Sequence, residues 1–178
     1  MALTVSTIKA TGVQQAGSGG AASVYSSTAY FMTRLTANSN PNDASTFSLR
    51  TVFNTVPLIN QGGFSSDGNY INVPEAGLYI VSANVAFNNA SARDVPGFRF
   101  GVSLTGATNA YSGQVENSLS SYIRVASNHN EASTELVTAY QLNVGSGIRM
   151  EFRRFGNTGT NTTIIPSYSY ITVWRLGA

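Results

Sequence analysis

The residues able to do chemistry are few. The one histidine, His129, sits in the stretch Ala126-Ser-Asn-His-Asn-Glu131, a loop composition. A hydrolytic histidine needs a nucleophile within hydrogen-bond reach and a carboxylate to orient it. Glu131 is close in sequence, but no Gly-x-Ser-x-Gly elbow occurs in the chain. A single histidine without any cysteine is a poor start for a zinc site, which draws mostly on histidine and cysteine ligands. Calcium prefers oxygen ligands drawn from one acidic loop. Here Asp43, Asp67 and Asp94 lie in three separate loops, which leaves calcium open without a pattern to support it. Gly17-Ser-Gly-Gly20 lacks the lysine and the preceding strand of a phosphate loop. Nothing selects two of the eight carboxylates as a glycosidase pair. The expectation is a protein that is not an enzyme, with no catalytic, cofactor-binding or metal-ligating residue assigned.

Charge narrows the partners. Ten basic residues face eight acidic ones over 178 residues, a formal net charge of +2. Nucleic-acid binders cluster lysine and arginine on one face or in a run. The only adjacent basic pair is Arg153-Arg154, and Lys9 is the only lysine, so nucleic acid is not expected as a partner. No apolar run reaches the 18 residues of a membrane span, and the N-terminus lacks the basic start and apolar core of a secretory leader. Without cysteine there is no disulfide framework, which favours assembly in a reducing cytosol. The patterns Asn89-Ala-Ser and Asn161-Thr-Thr are therefore not read as glycosylated.

These residues have to be positioned by strands. Gly, Ser, Thr, Asn and Val are abundant, and no apolar spacing of helical period is sustained. Residues 1–27 stand apart as small, polar and flexible, and they read as an N-terminal attachment arm with Leu3, Val5 and Ile8 as its anchoring apolar residues. Residues 28–178 read as one domain. Strands are expected at Tyr30–Leu35, Phe47–Val56, Gly77–Phe87, Gly97–Leu104, Tyr122–Ala126, Ser133–Leu142, Ile148–Phe155 and Tyr168–Leu176, with a hairpin around Asp67-Gly68. In Ile148–Arg153 apolar and charged residues alternate, the pattern of a half-buried strand with a solvated face. Two strands differ. Tyr79, Val81, Val85 and Phe87 alternate with Leu78, Ile80 and Ala86, and Ile171 and Val173 alternate with Tyr170, Thr172, Trp174 and Leu176. A strand apolar on both faces has to be covered twice, the second time by a loop or a neighbouring subunit.

The series Phe53, Ile59, Phe64, Ile71, Gly77-Leu-Tyr79-Ile-Val81-Ser-Ala83 resembles in spacing the signature of the C1q globular head and its tumour-necrosis-factor relatives. Phe53, Phe64, Gly77 and Tyr79 match by type. Ile59 stands where that family has Asn or Asp, with Asn60 one residue on, while Ile71 and Val81 replace Phe and Ala83 replaces an aromatic. Leu142-Asn-Val-Gly145-Ser-Gly-Ile148 is similar to the family's Leu-x-x-Gly-Asp-x-Val turn, with Ser146 for Asp, and Tyr168–Leu176 to its closing aromatic strand.

The resemblance spans Ala29 to Leu176. It implies an all-β, single-domain jelly-roll β-sandwich, C1q/TNF-like and homotrimeric, with Tyr79, Val81 and Val85 in the core. Ile80, Ser82, Asn84, Tyr170, Thr172, Trp174 and Leu176 would face the neighbouring subunit. Residues 1–27 carry no Gly-X-Y repeat, so no complement-like role is read from it. The expected function is that of a non-enzymatic recognition protein on the surface of a virion. It would be a bacteriophage capsid decoration or head-fibre protein, assembled in the host cytoplasm and held to the particle by its arm. The alternative is a host-attachment fibre tip or adhesin that binds a surface glycan through Ala107–Gln114 and Phe155–Thr163.

Overall fold

The computed structural model describes residues 29–36, 47–49, 51–89, 93–103, 119–124, 130–155 and 162–177. The arm with Leu3, Val5 and Ile8, together with Asp43, His129 and the loop Ala107–Gln114, lies outside the described residues. Twelve strands follow in chain order: β1 Tyr30–Arg34, β2 Ser48–Leu49, β3 Ile59–Gln61, β4 Ser65–Ser66, β5 Ile71–Asn72 and β6 Gly77–Asn88. They continue as β7 Pro96–Ser103, β8 Leu119–Ser120, β9 Glu131–Leu142, β10 Gly147–Arg154, β11 Thr163–Ile164 and β12 Tyr170–Gly177. The only helical element among the described residues is a 3₁₀ turn, Pro166–Tyr168.

Two antiparallel sheets face each other. In the first, β6 lies between β9 and β12, β12 continues to β1 and then β3, and β11 extends the β12 side beyond its end. The second runs β4-β5-β10-β7-β8, with β2 also paired to β10. The chain crosses between sheets from β6 to β7 and again from β9 to β10. These crossings between the two layers give the jelly-roll path.

The core is what the spacing series builds. Phe53, Phe64, Ile71, Tyr79, Val81 and Ala83 are all buried between the layers. Phe64 joins Phe31 to Tyr79, with ring centroids 5.5 and 6.1 Å away. Across the sandwich Phe87 meets Phe152 at 6.4 Å, and within the second sheet Phe152 meets Phe98 at 6.1 Å. Ile59 is the exception, 38% exposed on the edge strand β3. Its neighbour Asn60 makes the polar contact instead, donating from Nδ2 to the Phe64 carbonyl at 2.8 Å across the turn at Gly62 and Gly63.

Turn chemistry closes the layers. Gly68 sits at φ +89° in the β4–β5 hairpin, where Asp67 Oδ1 accepts from the amides of Asn69 and Tyr70 at 2.9 and 2.8 Å. Gly145 at φ +73° begins the turn into β10, and the Ser146 hydroxyl accepts from the Asn143 amide at 3.1 Å. A short hydroxyl thus caps this turn in place of a carboxylate.

Three expected strands come out differently. Phe47–Val56 is not one strand, because the segment changes layers: Leu49 pairs with Glu151 of β10, whereas Phe53 bridges Leu35 beyond β1. Residues 122–124 hold only an isolated bridge from Ile123 to Asp94, and the strand lies earlier, at β8. Tyr168 belongs to the 3₁₀ turn that Pro166 initiates, and the closing strand starts at Tyr170. The short strands β3 and β11 have too few residues to show a period.

At one end of the sandwich four polar groups are fully enclosed. Asp94 accepts from Arg154 Nε at 2.8 Å and from the Thr162 hydroxyl, and Asn89 Nδ2 donates to that hydroxyl at 2.9 Å. All four side chains are essentially inaccessible, which also closes Asn89 to glycosylation. Removing one member of a buried ion pair strands the other, a loss of about 3–5 kcal/mol. Asp94→Asn should lower unfolding stability by that order in a denaturant titration, whereas Asp94→Leu combined with Arg154→Met should cost much less.

Burial pushes the Tyr79 phenol above its ordinary range, with Arg175 partly opposing the shift. Its hydroxyl donates to the Glu75 carbonyl at 2.7 Å. The unfolded chain releases the Tyr79 proton first as the solution becomes alkaline, at about pH 10, so fewer protons are bound unfolded than folded and stability falls as pH rises above that point. Denaturation midpoints at pH 8, 9, 10 and 11 should be level at first and then decline, and Tyr79→Phe should flatten the decline.

Candidate functional site

The face of the first sheet that turns away from the core carries apolar side chains on all four of its main strands, β9, β6, β12 and β1. Register places its side chains in transverse rows. Tyr30, Trp174, Ile80 and Ala139 form one row, and Met32, Thr172, Ser82 and Val137 the next. Arg34, Tyr170, Asn84 and Glu135 form a third. Tyr30 and Trp174 stack at 5.7 Å between ring centroids. Val137 is 56% exposed, Leu78 39% and Trp174 38%. Single exposed apolar residues are ordinary, but a contiguous set of them is a candidate contact surface.

Six of the seven residues expected to face a neighbour lie in these three rows, whereas Leu176 falls at the bulge between Arg175 and Gly177, where the register shifts and Gly177 becomes the partner of Leu78. They do not play equal parts. Ser82 and Thr172 are each only 5% exposed within the single chain. Ser82 Oγ donates to Glu135 at 3.2 Å, and the Thr172 hydroxyl donates to the Ser82 carbonyl at 3.4 Å. Asn84 Nδ2 donates to the Tyr168 carbonyl at 2.7 Å. These polar members are satisfied inside the subunit and form the floor of the face. Ile80 and Trp174 supply its exposed apolar surface. Sequence reasoning missed Val137 and Ala139, because β9 is mostly polar and only its pairing with β6 brings them alongside Ser82 and Ile80. Tyr30 and Met32 of β1 were missed for a similar reason, since alternation over five residues does not say which face meets water.

The area can be estimated. Four strands at ~4.8 Å spacing and some eight residues at ~3.3 Å each give on the order of 500 Å² before side-chain relief. A stable interface takes about 800 Å² from each partner. One such face is therefore below the standard size on its own.

Beside the apolar rows lies a shallow cleft of about 410 Å³ lined by Asn84, Ala86, Glu131, Ala132, Ser133 and Tyr168. Glu131 and Ser133 are exposed there at the start of β9. Among the described residues no three of His, Cys, Asp and Glu converge on a metal-sized point. Asp67 is engaged in its turn and Asp94 in its ion pair. Of the loop expected to bind glycans, residues 156–161 lie outside the described residues, while Phe155 and Thr162 fall within them.

No family model matches the sequence, and no curated protein does. Solved structures do match. Murine APRIL at pH 8.0 superposes with a TM-score of 0.58 over 83% of this chain and 98% of its own, at 14% identity. Eiger TNF from S. frugiperda superposes at 0.59 over 84% and 94%, at 11% identity. The fold is a TNF-like jelly roll. At such identities the likeness concerns backbone path and layer order, so the TNF-like jelly roll here is a scaffold shared with those proteins. What it binds has to be argued from its own surface.

Proposed function

We propose that this chain is a non-enzymatic structural and recognition protein that closes into a homotrimer through the outward face of its first sheet. The observation that carries this is the set of half-exposed apolar rows across β9, β6, β12 and β1, with their polar members already bonded within the subunit. Covering such a face gains by desolvation, and Ser82, Thr172 and Asn84 keep their hydrogen bonds within the subunit when it is covered. Heterologous contact around a three-fold axis closes the assembly without an open end. The similarity in spacing to the C1q and tumour-necrosis-factor heads, together with the TNF-like jelly roll, supports the same arrangement.

Display on a virion surface is the setting we propose for that trimer, with residues 1–27 as the arm that docks to the particle. A small, polar, glycine-rich segment joined to a cysteine-free head suits an attached module assembled in a host cytoplasm. As a capsid decoration or head-fibre protein it would present the loops of the sandwich outward.

Light scattering after size exclusion should give a species of about 56 kDa, three times the 18.8 kDa chain, that persists on dilution. Val137→Asp alters a residue that is 56% exposed in the subunit, so it should leave the fold intact and reduce the mass to about 19 kDa. A 19 kDa wild-type species would overturn the trimer. Deleting residues 1–27 should leave a folded trimer that no longer co-sediments with its particle. Undiminished incorporation would remove the arm from the reading.

A further inference from the structure

On the opposite side of the molecule, the second sheet turns a cationic and aromatic platform outward. Alternation along β10 sends Arg154 inward to Asp94 and its neighbour Arg153 outward, so the one basic pair in the sequence is divided between two faces. Outward with Arg153 are Arg149 and Glu151, and Arg99 stands beside Glu151 on β7. Arg99 grips the Glu151 carboxylate through Nε at 2.7 Å and through a terminal nitrogen at 2.5 Å, and Arg149 bonds its other oxygen. One carboxylate is thus shared by two guanidinium groups. Arg153 has no ion partner among the described residues, and its Nε makes no hydrogen bond. Asp94 is already committed to Arg154 on the other side of the strand.

Aromatic rings hold this uncompensated charge in place. The Arg153 guanidinium lies 4.9 Å from the centre of the Phe155 ring and 6.0 Å from that of Phe47, and Arg99 lies 4.2 Å from Phe47. Phe47 and Phe155 meet edge to face at 5.9 Å. Phe155 remains 45% exposed. Gly97 is opposite Arg153 in register and makes the arrangement possible: a Cβ there would come within 2.8 Å of the Phe155 ring and 2.6 Å of the Leu119 carbonyl. Gly101 is opposite Arg149, so no side chain rises from β7 at that position either. Among the described residues, three guanidinium groups stand against one carboxylate on this platform.

We propose that this platform binds an acidic polysaccharide through its hexuronate units. A pyranose carrying a carboxylate joins, in one rigid body, the two features the platform offers. Its planar carboxylate matches the free guanidinium of Arg153, and its C–H face covers the exposed ring of Phe155. An acidic peptide would satisfy the charge but has no rigid apolar face to lay on the ring. The site uses the sheet opposite the trimerisation face and does not depend on the trimer.

Tetragalacturonate titrated into the full chain, followed by calorimetry or by amide chemical shifts, tests this directly. Binding is expected with a Kd on the order of 0.1–1 mM. It should weaken several-fold between 50 and 300 mM NaCl, as a partly exposed charge contact does. Arg153→Gln and, separately, Phe155→Ala should each lower affinity about tenfold, while Arg175→Gln on the first sheet should bind as the unaltered protein does. Maltotetraose, which is neutral, should not bind. Three results overturn the proposal: no response to tetragalacturonate at 10 mM, unchanged affinity in a folded Arg153→Gln variant, or equal binding of poly-glutamate at matched carboxylate concentration. The last would assign the platform to acidic peptides. Because tetragalacturonate, maltotetraose and poly-glutamate are all compared on the unaltered chain, the outcome does not depend on either variant folding.

Discussion

Strand β6 is the element on which the rest of the molecule depends. It pairs with β9 along all twelve of its residues and on its other edge with β12 and β11, so its backbone is satisfied from both sides. Its side chains then decide the layers. Tyr79, Val81, Ala83, Val85 and Phe87 enter the sandwich, and the alternate positions Leu78, Ile80 and Ala86 turn away from it. A shift of one residue in register would exchange the two sets. With both sets apolar the sandwich covers only one of them, and the other stays on the outward face of the first sheet.

The second sheet solves the opposite problem. Its outward face is charged, yet Glu151 is almost wholly buried, so this is not the solvated face that simple alternation leads one to expect. Arg99 and Arg149 converge on Glu151, and the ring of Phe47 lies over Arg99. Guanidinium groups tolerate such surroundings because they are weakly hydrated and stack on rings, which an ammonium does less well. The chain's reliance on arginine, with Lys9 its only lysine, is consistent with this. The two sheets therefore present different chemistry to their surroundings, apolar on one side and cationic–aromatic on the other.

Much of the fold was legible because the spacing series consists of core residues. Phe53, Phe64, Ile71, Tyr79 and Val81 are constrained by what they touch across the sandwich, and such constraints leave a pattern in sequence even when residue types change. The exchange of Asp for Ser146 kept the turn, since a hydroxyl also accepts from a backbone amide. What was not legible came from contacts between segments distant in sequence. The break in Phe47–Val56 follows from a corner at which the chain leaves β10 for β1, and no local signal marks it.

Composition and alternation by themselves determined the all-β class, the position of the long strands and the presence of two strands apolar on both faces. These follow from the two-residue period of the pleat, which every residue obeys wherever its strand ends up. Only the tertiary structure decided which strands became neighbours. Pairing of β9 with β6 brought Val137 beside Ser82, pairing of β1 with β12 brought Tyr30 onto Trp174, and pairing of β10 with β7 brought Arg99 to Glu151. Each joins residues far apart in the chain, selected by a register set over whole strands, and no short window of sequence contains both partners.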